Sequence, residues 1–373
     1  MKFETLSIHV GRDVEQTTGA VAPAVHMSTT FERDVDGEYS RGFSYSRADN
    51  PARRPLEQCI AALEGGEDAT TYSSGSAASM AVFSLLRPGD HVVAPIECYH
   101  GTAKQLRDVL APMGVTHTFV DMTRVDAVRE ALRKETRLVW IETPSNPMLN
   151  ISDIETIADL AHGRGAMVCC DNTFATPVLQ RPLELGADLV MHSSTKYFGG
   201  HSDVMGGAII TRDRGGLSDK LRDYQATAGS VPSPFDCWLI RRSLTTLSCR
   251  VRAQTHTASR IAGFLQSQKN VERVFYPGLE SHPGHALAQR QMKGGFGAML
   301  SFCVRGGRDA AFAVVRKAQL FIRATSLGGV ESLIEHRAST EGPNTITPQN
   351  LLRVSVGLES ADDLIADLDQ ALA

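Results

Sequence analysis

No apolar run in this chain of 373 residues is long enough to span a bilayer, so a membrane-embedded protein is not expected. Neither sign of charge dominates: 38 basic residues stand against 42 acidic ones, for a net charge of −4. That balance leaves no electrostatic footprint for nucleic acid or an anionic membrane, and neither is expected as a partner. Cysteine is sparse and unpatterned. The seven cysteines are odd in number and include no Cys-x-x-Cys, which excludes a disulfide framework and points to reduced thiols. The opening Met1-Lys2-Phe3-Glu4-Thr5 lacks the apolar stretch of a signal peptide. Together these absences predict a cytoplasmic protein. The nucleotide signatures Gly-x-x-x-x-Gly-Lys-[Ser/Thr] and Gly-x-Gly-x-x-Gly after a strand are missing as well. There is no His-Glu-x-x-His, and Pro283-Gly284 interrupts the His282/His285 pair, so no metal site is expected.

What is present is ordinary core material: 42% apolar residues, 21% charged residues and 32 glycines. The length exceeds what one core usually serves, and two domains with an N-terminal arm are expected. Residues 1–50 have weak periodicity and read as the arm. Residues 51–235 alternate short apolar runs with amphipathic stretches. The strand candidates are 91–95, 115–121, 137–143, 166–172 and 189–193; amphipathic helices are expected over 124–134 and 153–164, and the rhythm changes after 206–211. This alternation predicts an α/β domain with a mostly parallel sheet. From residue 236 the pattern is a long helical stretch to about 268, strands over 297–304 and 351–357, and a terminal helix over 362–372. Residues 236–373 read as a smaller α+β domain.

The segment Ser193-Ser194-Thr195-Lys196-Tyr197-Phe198-Gly199-Gly200 follows a strand and ends in glycines. A lone lysine is normally a surface residue. Here it has hydroxyl neighbours able to bind phosphate, Ser193 and Thr195, and an acid, Asp171, at the end of the preceding strand. In open α/β sheets ligands sit beyond the carboxyl ends of strands, so both segments face one crevice. A lysine that forms a Schiff base with pyridoxal 5'-phosphate (PLP) needs a site where its amine is neutral. A carboxylate beside the pyridine nitrogen keeps that nitrogen protonated. By itself Asp171 reads equally as a helix cap. Tyr72-Ser73-Ser74-Gly75-Ser76 opens an apolar helix and reads as a second phosphate contact, or as a plain serine-rich cap. Tyr99, just past the 91–95 strand, is placed to stack on a cofactor ring.

These residues carry a resemblance. Ser193–Asp203, Asp171–Pro177 and Glu142–Pro147 resemble the Cys/Met-metabolism PLP enzymes, the family of cystathionine γ-synthase, cystathionine γ- and β-lyases and methionine γ-lyase. The likeness continues through 45–51, 276–279, 326–333 and 351–357, in family order along the chain. It implies the fold type I architecture: an N-terminal arm, a large PLP domain on a seven-stranded-type sheet, and a small C-terminal domain. It also implies a homotetramer, a dimer of dimers with shared active sites. By motif position Lys196 looks like the Schiff-base lysine and Asp171 like the pyridinium partner. Gly75, Ser76, Ser193 and Thr195 look like phosphate ligands, and Tyr45 and Arg47 like phosphate ligands from a neighbouring subunit. Tyr99 matches the tyrosine that stacks on the ring and assists proton transfer. Arg353 matches the arginine that clamps the substrate α-carboxylate, with Asn146 and Ser326 as helpers.

The sequence also departs from the family. Ser44 and Thr325 stand where members handling cystathionine often carry glutamate able to reach a distal amino group. Lys104 replaces an arginine, His100 sits inside the Tyr-Gly-Gly-Thr motif, and Ser76 stands where methionine is usual. A short stretch, Glu335 to Pro343, replaces a longer loop near the entrance. The expected partner is a small amino-acid substrate, and the expected reaction is β/γ-elimination or γ-replacement on a sulfur amino acid or homoserine ester. Wording around 94–99 and 296–302 leans toward the γ-synthases, with the lyases as alternatives. A non-catalytic PLP-binding regulatory protein on the same scaffold is the reading from another class.

Overall fold

The computed structural model describes residues 1–342 and 345–373. Seven strands form the larger sheet: β1 (Asp68–Tyr72), β2 (His91–Pro95), β3 (Thr116–Val120), β4 (Thr136–Glu142), β5 (Met167–Asp171), β6 (Leu189–His192) and β7 (Gly207–Thr211). Their order is β1-β7-β6-β5-β4-β2-β3. Only β7 runs against the rest, pairing antiparallel with both β1 and β6. Strands β8 (Val271–Phe275), β9 (Met299–Val304), β10 (Ile322–Arg323), β11 (Leu333–His336) and β12 (Leu351–Ser355) form the second sheet, ordered β10-β11-β12-β9-β8.

Side-chain alternation explains why the larger sheet is covered on both faces. Along β4, Leu138 and Trp140 enter one core cluster with Val92 and Ala94 of β2. Val139 and Ile141 enter the opposite cluster with Val93 and the helix Ile154–His162. The adjacent Cys169 and Cys170 therefore point to opposite faces, and both are buried free thiols. A third cluster joins the helix Arg53–Glu64, the long helix Leu247–Ser267 and the second sheet. It ties the C-terminal part firmly against the larger sheet's layer.

Three differences from the sequence reading have physical reasons. Strand β1 is polar in composition, yet its hydroxyls are satisfied locally: Thr71 bonds Glu57 at 3.0 Å and Thr70 meets Tyr72 at 3.0 Å. A strand that buries polar groups this way carries no apolar signature. Strand β11 likewise buries the charged Glu335, while β8 interrupts its apolar run with exposed Glu272 and Arg273. The first fifty residues are not wholly irregular, because a helix spans Phe3–His9. Buried Arg241 donates to the carbonyls of Ser7 and Ile8, both at 3.1 Å, and so satisfies that helix's carboxyl end. No helix among the described residues is long and apolar enough to cross a membrane.

Candidate active site

A cavity of about 460 Å³ opens at the carboxyl ends of the parallel strands, where the second sheet closes over them. Gly75, Ser76, Tyr99, Asn146, Asp171, Ser193, Thr195, Lys196, Ser326 and Arg353 all line it. Two predicted residues do not. Exposed Tyr45 makes an isolated bridge with Thr30, and Arg47 stacks over Tyr45 at 5.6 Å while donating to the Ala226 carbonyl.

The end near β1 and β6 is shaped for a phosphate. Ser74 caps the helix Gly75–Phe83, its hydroxyl accepting from the Ala77 N–H at 3.1 Å. The orphan N–H groups of that first turn are aimed at the cavity's end. Gly75 is required for the close approach: a Cβ there would lie 2.9 Å from the Ser193 hydroxyl. The Ser193 hydroxyl bonds no protein atom among the described residues, whereas the Thr195 hydroxyl is engaged with Gly206, accepting from its N–H at 3.1 Å.

Asp171 ends β5. One carboxylate oxygen accepts from the Thr173 N–H at 3.0 Å, and the other has no protein donor among the described residues. Burial raises its carboxyl above the usual range, and the Thr173 bonds together with nearby His192 pull it back. Its neighbour in register is Glu142, which accepts the Tyr99 N–H at 2.7 Å. Burial and the adjacent Asp171 push Glu142 well above the carboxylate range. Glu142 was not singled out from the sequence, although its motif was; the bond to Tyr99 is a tertiary contact that no spacing reveals. Gly101 was missed as well: a side chain there would overlap the Tyr99 ring.

Lys196 donates from Nζ to the Ser326 hydroxyl at 2.7 Å. Burial, then the charges of Arg353 and Arg337, push its amine down to about 8. Ser326 adopts φ +83°, a left-handed conformation unusual for a residue with a side chain, which places its hydroxyl on Lys196 and its carbonyl on Arg353 at 3.1 Å. Arg353 sits in mid-strand β12, fully desolvated. It donates to Asn146 at 3.0 Å and pairs with Glu335, opposite it in register on β11, at 2.5 Å. Burial pulls Arg353 down to about 10, so its guanidinium stays charged at neutral pH.

Comparison with known proteins decides the family. The model for "Cys/Met metabolism PLP-dependent enzyme" matches residues 4–373. The chain belongs to that family. It is a PLP-dependent enzyme of sulfur amino-acid metabolism. It is 48% identical over 374 residues to the cystathionine gamma-synthase of Mycobacterium tuberculosis, covering 99% of this chain and 96% of that one. It is 43% identical over 379 residues to the cystathionine gamma-lyase of Dictyostelium discoideum, covering 100% and 97%. Among solved structures, metB from Corynebacterium glutamicum superposes with a TM-score of 0.97 at 43% identity, covering 100% of this chain and 98% of that one. CalE6, a methionine gamma lyase from Micromonospora echinospora, gives 0.95 at 43%, covering 100% and 99%. The mostly parallel α/β sheet with a smaller second sheet is therefore the architecture of this family.

The cavity fits PLP on three independent counts. The Gly75–Ser193 cradle closes if a Cβ is added, the Asp171 carboxylate has an unpartnered oxygen in a buried setting, and the Lys196 amine is held close to neutrality.

Proposed function

We propose that this enzyme replaces the γ-substituent of a homoserine ester, in the manner of a cystathionine γ-synthase. The observation that carries this reading is the charge of the cavity wall. Among its described lining residues the only acids are Asp171 and Glu142, both at the cofactor's end. A first substrate with a distal ammonium, such as cystathionine, gains no carboxylate from this wall, consistent with Ser44 and Thr325 in place of glutamate; in the synthase direction the ammonium of cysteine enters only with the second substrate. The likeness to the mycobacterial γ-synthase supports the same choice.

In this reading Ser76, the Gly75 backbone, Ser193 and Thr195 hold the phosphate of PLP, and Asp171 holds its ring nitrogen. When bound, PLP supplies an electron sink that makes the substrate's Cα proton acidic. The Lys196 amine takes that proton, which a group poised near pH 8 does well. Tyr99 stacks on the ring and assists proton transfer. Arg353 clamps the α-carboxylate, oriented by Asn146 and Ser326. Loss of a second proton from Cβ allows the γ-substituent to leave, and addition of cysteine completes the exchange. Tyr45 and Arg47 serve the phosphate of a neighbouring subunit, which accounts for their exposure on a single chain. The working protein is then a homotetramer built from two dimers, in the cytoplasm. Each subunit divides into an arm (1–50), a large PLP domain (51–235) and a small domain (236–373).

The reading is tested by product analysis with O-succinylhomoserine plus cysteine, beside cystathionine, methionine and homocysteine alone. Cystathionine from the first mixture, faster than breakdown of any single amino acid, is expected. Faster release of ammonia and a 2-oxo acid from cystathionine would favour a lyase. Absence of turnover with every amino acid and ester would favour a regulatory PLP-binding protein.

A further inference from the structure

The short stretch after β11 brings a second buried guanidinium to the cavity. Arg337 opens the helix Arg337–Glu341, lines the cavity and is 3% exposed. Its Nε donates to Glu341 at 2.8 Å, and its Nη1 lies 3.4 Å from Glu335. Neither carboxylate belongs to the cavity wall. The acids stand behind the guanidinium and fix its plane, while the cation faces the interior. Among the described residues its Nη2 has only a marginal contact, 3.5 Å from His100 Nδ1. A buried guanidinium nitrogen with so weak a partner retains donor capacity, and a guanidinium offers donors only.

Arg337 has company. His100 packs edge-on against Tyr99 with ring centroids 4.7 Å apart, and with Thr340 it stands on the exposed rim beside Arg337. The charge of Arg337 reaches both His100 and Lys196, lowering the proton affinity of each after burial has done so. Arg337 lines the same cavity as Lys196 and Arg353, and Glu335 separates it from Arg353, to which Glu335 is also bonded. A substrate whose α-carboxylate rests on Arg353 has a second, donor-rich wall for its far end.

We propose that Arg337, with His100 at the rim, is a specificity-determining subsite for a carboxylate at the distal end of the substrate side chain. It selects homoserine esters of dicarboxylic acids over esters of simple monocarboxylic acids. This rests on the functional reading above, whose placement of the α-carboxylate on Arg353 it uses.

The test is equilibrium binding to the PLP-loaded holoenzyme by titration calorimetry. The probes are 2-aminononanedioate and 2-aminononanoate, amino acids with no leaving group. Both match the main-chain length of O-succinylhomoserine and differ only in the terminal carboxylate. A charge-assisted hydrogen bond of ordinary strength predicts that the dioate binds about tenfold to a hundredfold more tightly. Arg337→Met should level the two, Arg337→Lys should keep part of the preference, and His100→Asn should reduce it less. Equal binding of the two probes to the unaltered enzyme overturns the proposal. So does equal weakening of both probes in Arg337→Met, which would make Arg337 a positioning residue for Arg353 through Glu335. If Arg337→Met does not fold, an undiminished preference in both Arg337→Lys and His100→Asn overturns it as well. Neither probe has a γ-leaving group to expel, so neither can be turned over by the proposed exchange. A failure of O-succinylhomoserine turnover therefore sinks the functional reading, while this comparison still gives its own answer.

Discussion

At the Lys196 end, the cavity is walled by short turns that leave strands of the large parallel sheet. At the Arg337 end, it is walled by a short helix hung on the mostly antiparallel second sheet. The first end has its groups fixed by backbone geometry: the Ser74 cap, the Gly75 approach to Ser193, the strand-end position of Asp171. The second depends on side chains holding side chains, Glu335 between Arg353 and Arg337 and Glu341 behind Arg337. Backbone-built sites tolerate little change in chemistry, whereas ion-paired walls can be rewritten by exchanging partners. In the proposed reading, cofactor handling belongs to the first end and substrate choice to the second.

The comparison can be broken at either end. The largest effect is expected for Lys196→Ala, which removes the base: turnover should fall on the order of 10³-fold. PLP should still be retained without a covalent link, because the phosphate cradle is untouched; equilibrium dialysis checks this. Arg353→Ala comes next. Truncating one member of a buried charge pair costs about 2–5 kcal/mol, so amino-acid binding should weaken by about thirtyfold or more while PLP stays bound. Loss of PLP in that variant would mean that the two ends are not separable. Gly75→Ala should do the reverse. Overpacking against Ser193 costs about 1–3 kcal/mol, read as weaker PLP affinity, with little change in the substrate preference of enzyme saturated with PLP.

A smaller effect sharpens the Lys196 end alone. Its amine titrates at about 8 in the folded chain, below the ordinary 10.5. The neutral fraction, the form that attacks a carbonyl, rises about tenfold per pH unit up to that point and then levels. Stopped-flow mixing of PLP with apoenzyme should show this rise in attachment rate. The same shift has a sign for stability. Between about 8 and 10.5 the unfolded chain binds more protons at this lysine than the folded chain does, so its contribution to apoprotein stability increases with pH across that window.

Much of the Lys196 end was legible in the sequence. Its residues sit next to one another in motifs, and strand ends in an α/β sheet gather at one edge. Four of the five central strands, β2, β4, β5 and β6, were visible as apolar runs because both faces of the sheet are covered. Strand β1 was hidden by its threonines, and β11 by the Glu335 and His336 that give the second end its chemistry. The role of Arg337 was not visible either. An arginine after a histidine in a short loop reads as a surface residue until the fold places Glu335 and Glu341 behind it. Part of that entrance stretch, Pro343 with Asn344, lies outside the described residues. Glu142 and Gly101 act through tertiary contacts with Tyr99, and neither contact has a local pattern.

The central claim is that the cofactor is attached at Lys196. Borohydride reduction of the holoenzyme, followed by peptide mass spectrometry, tests it most directly. The account predicts a bleached visible absorption band and a phosphopyridoxyl adduct on the peptide containing Lys196. An adduct on any other lysine, or none, would contradict it.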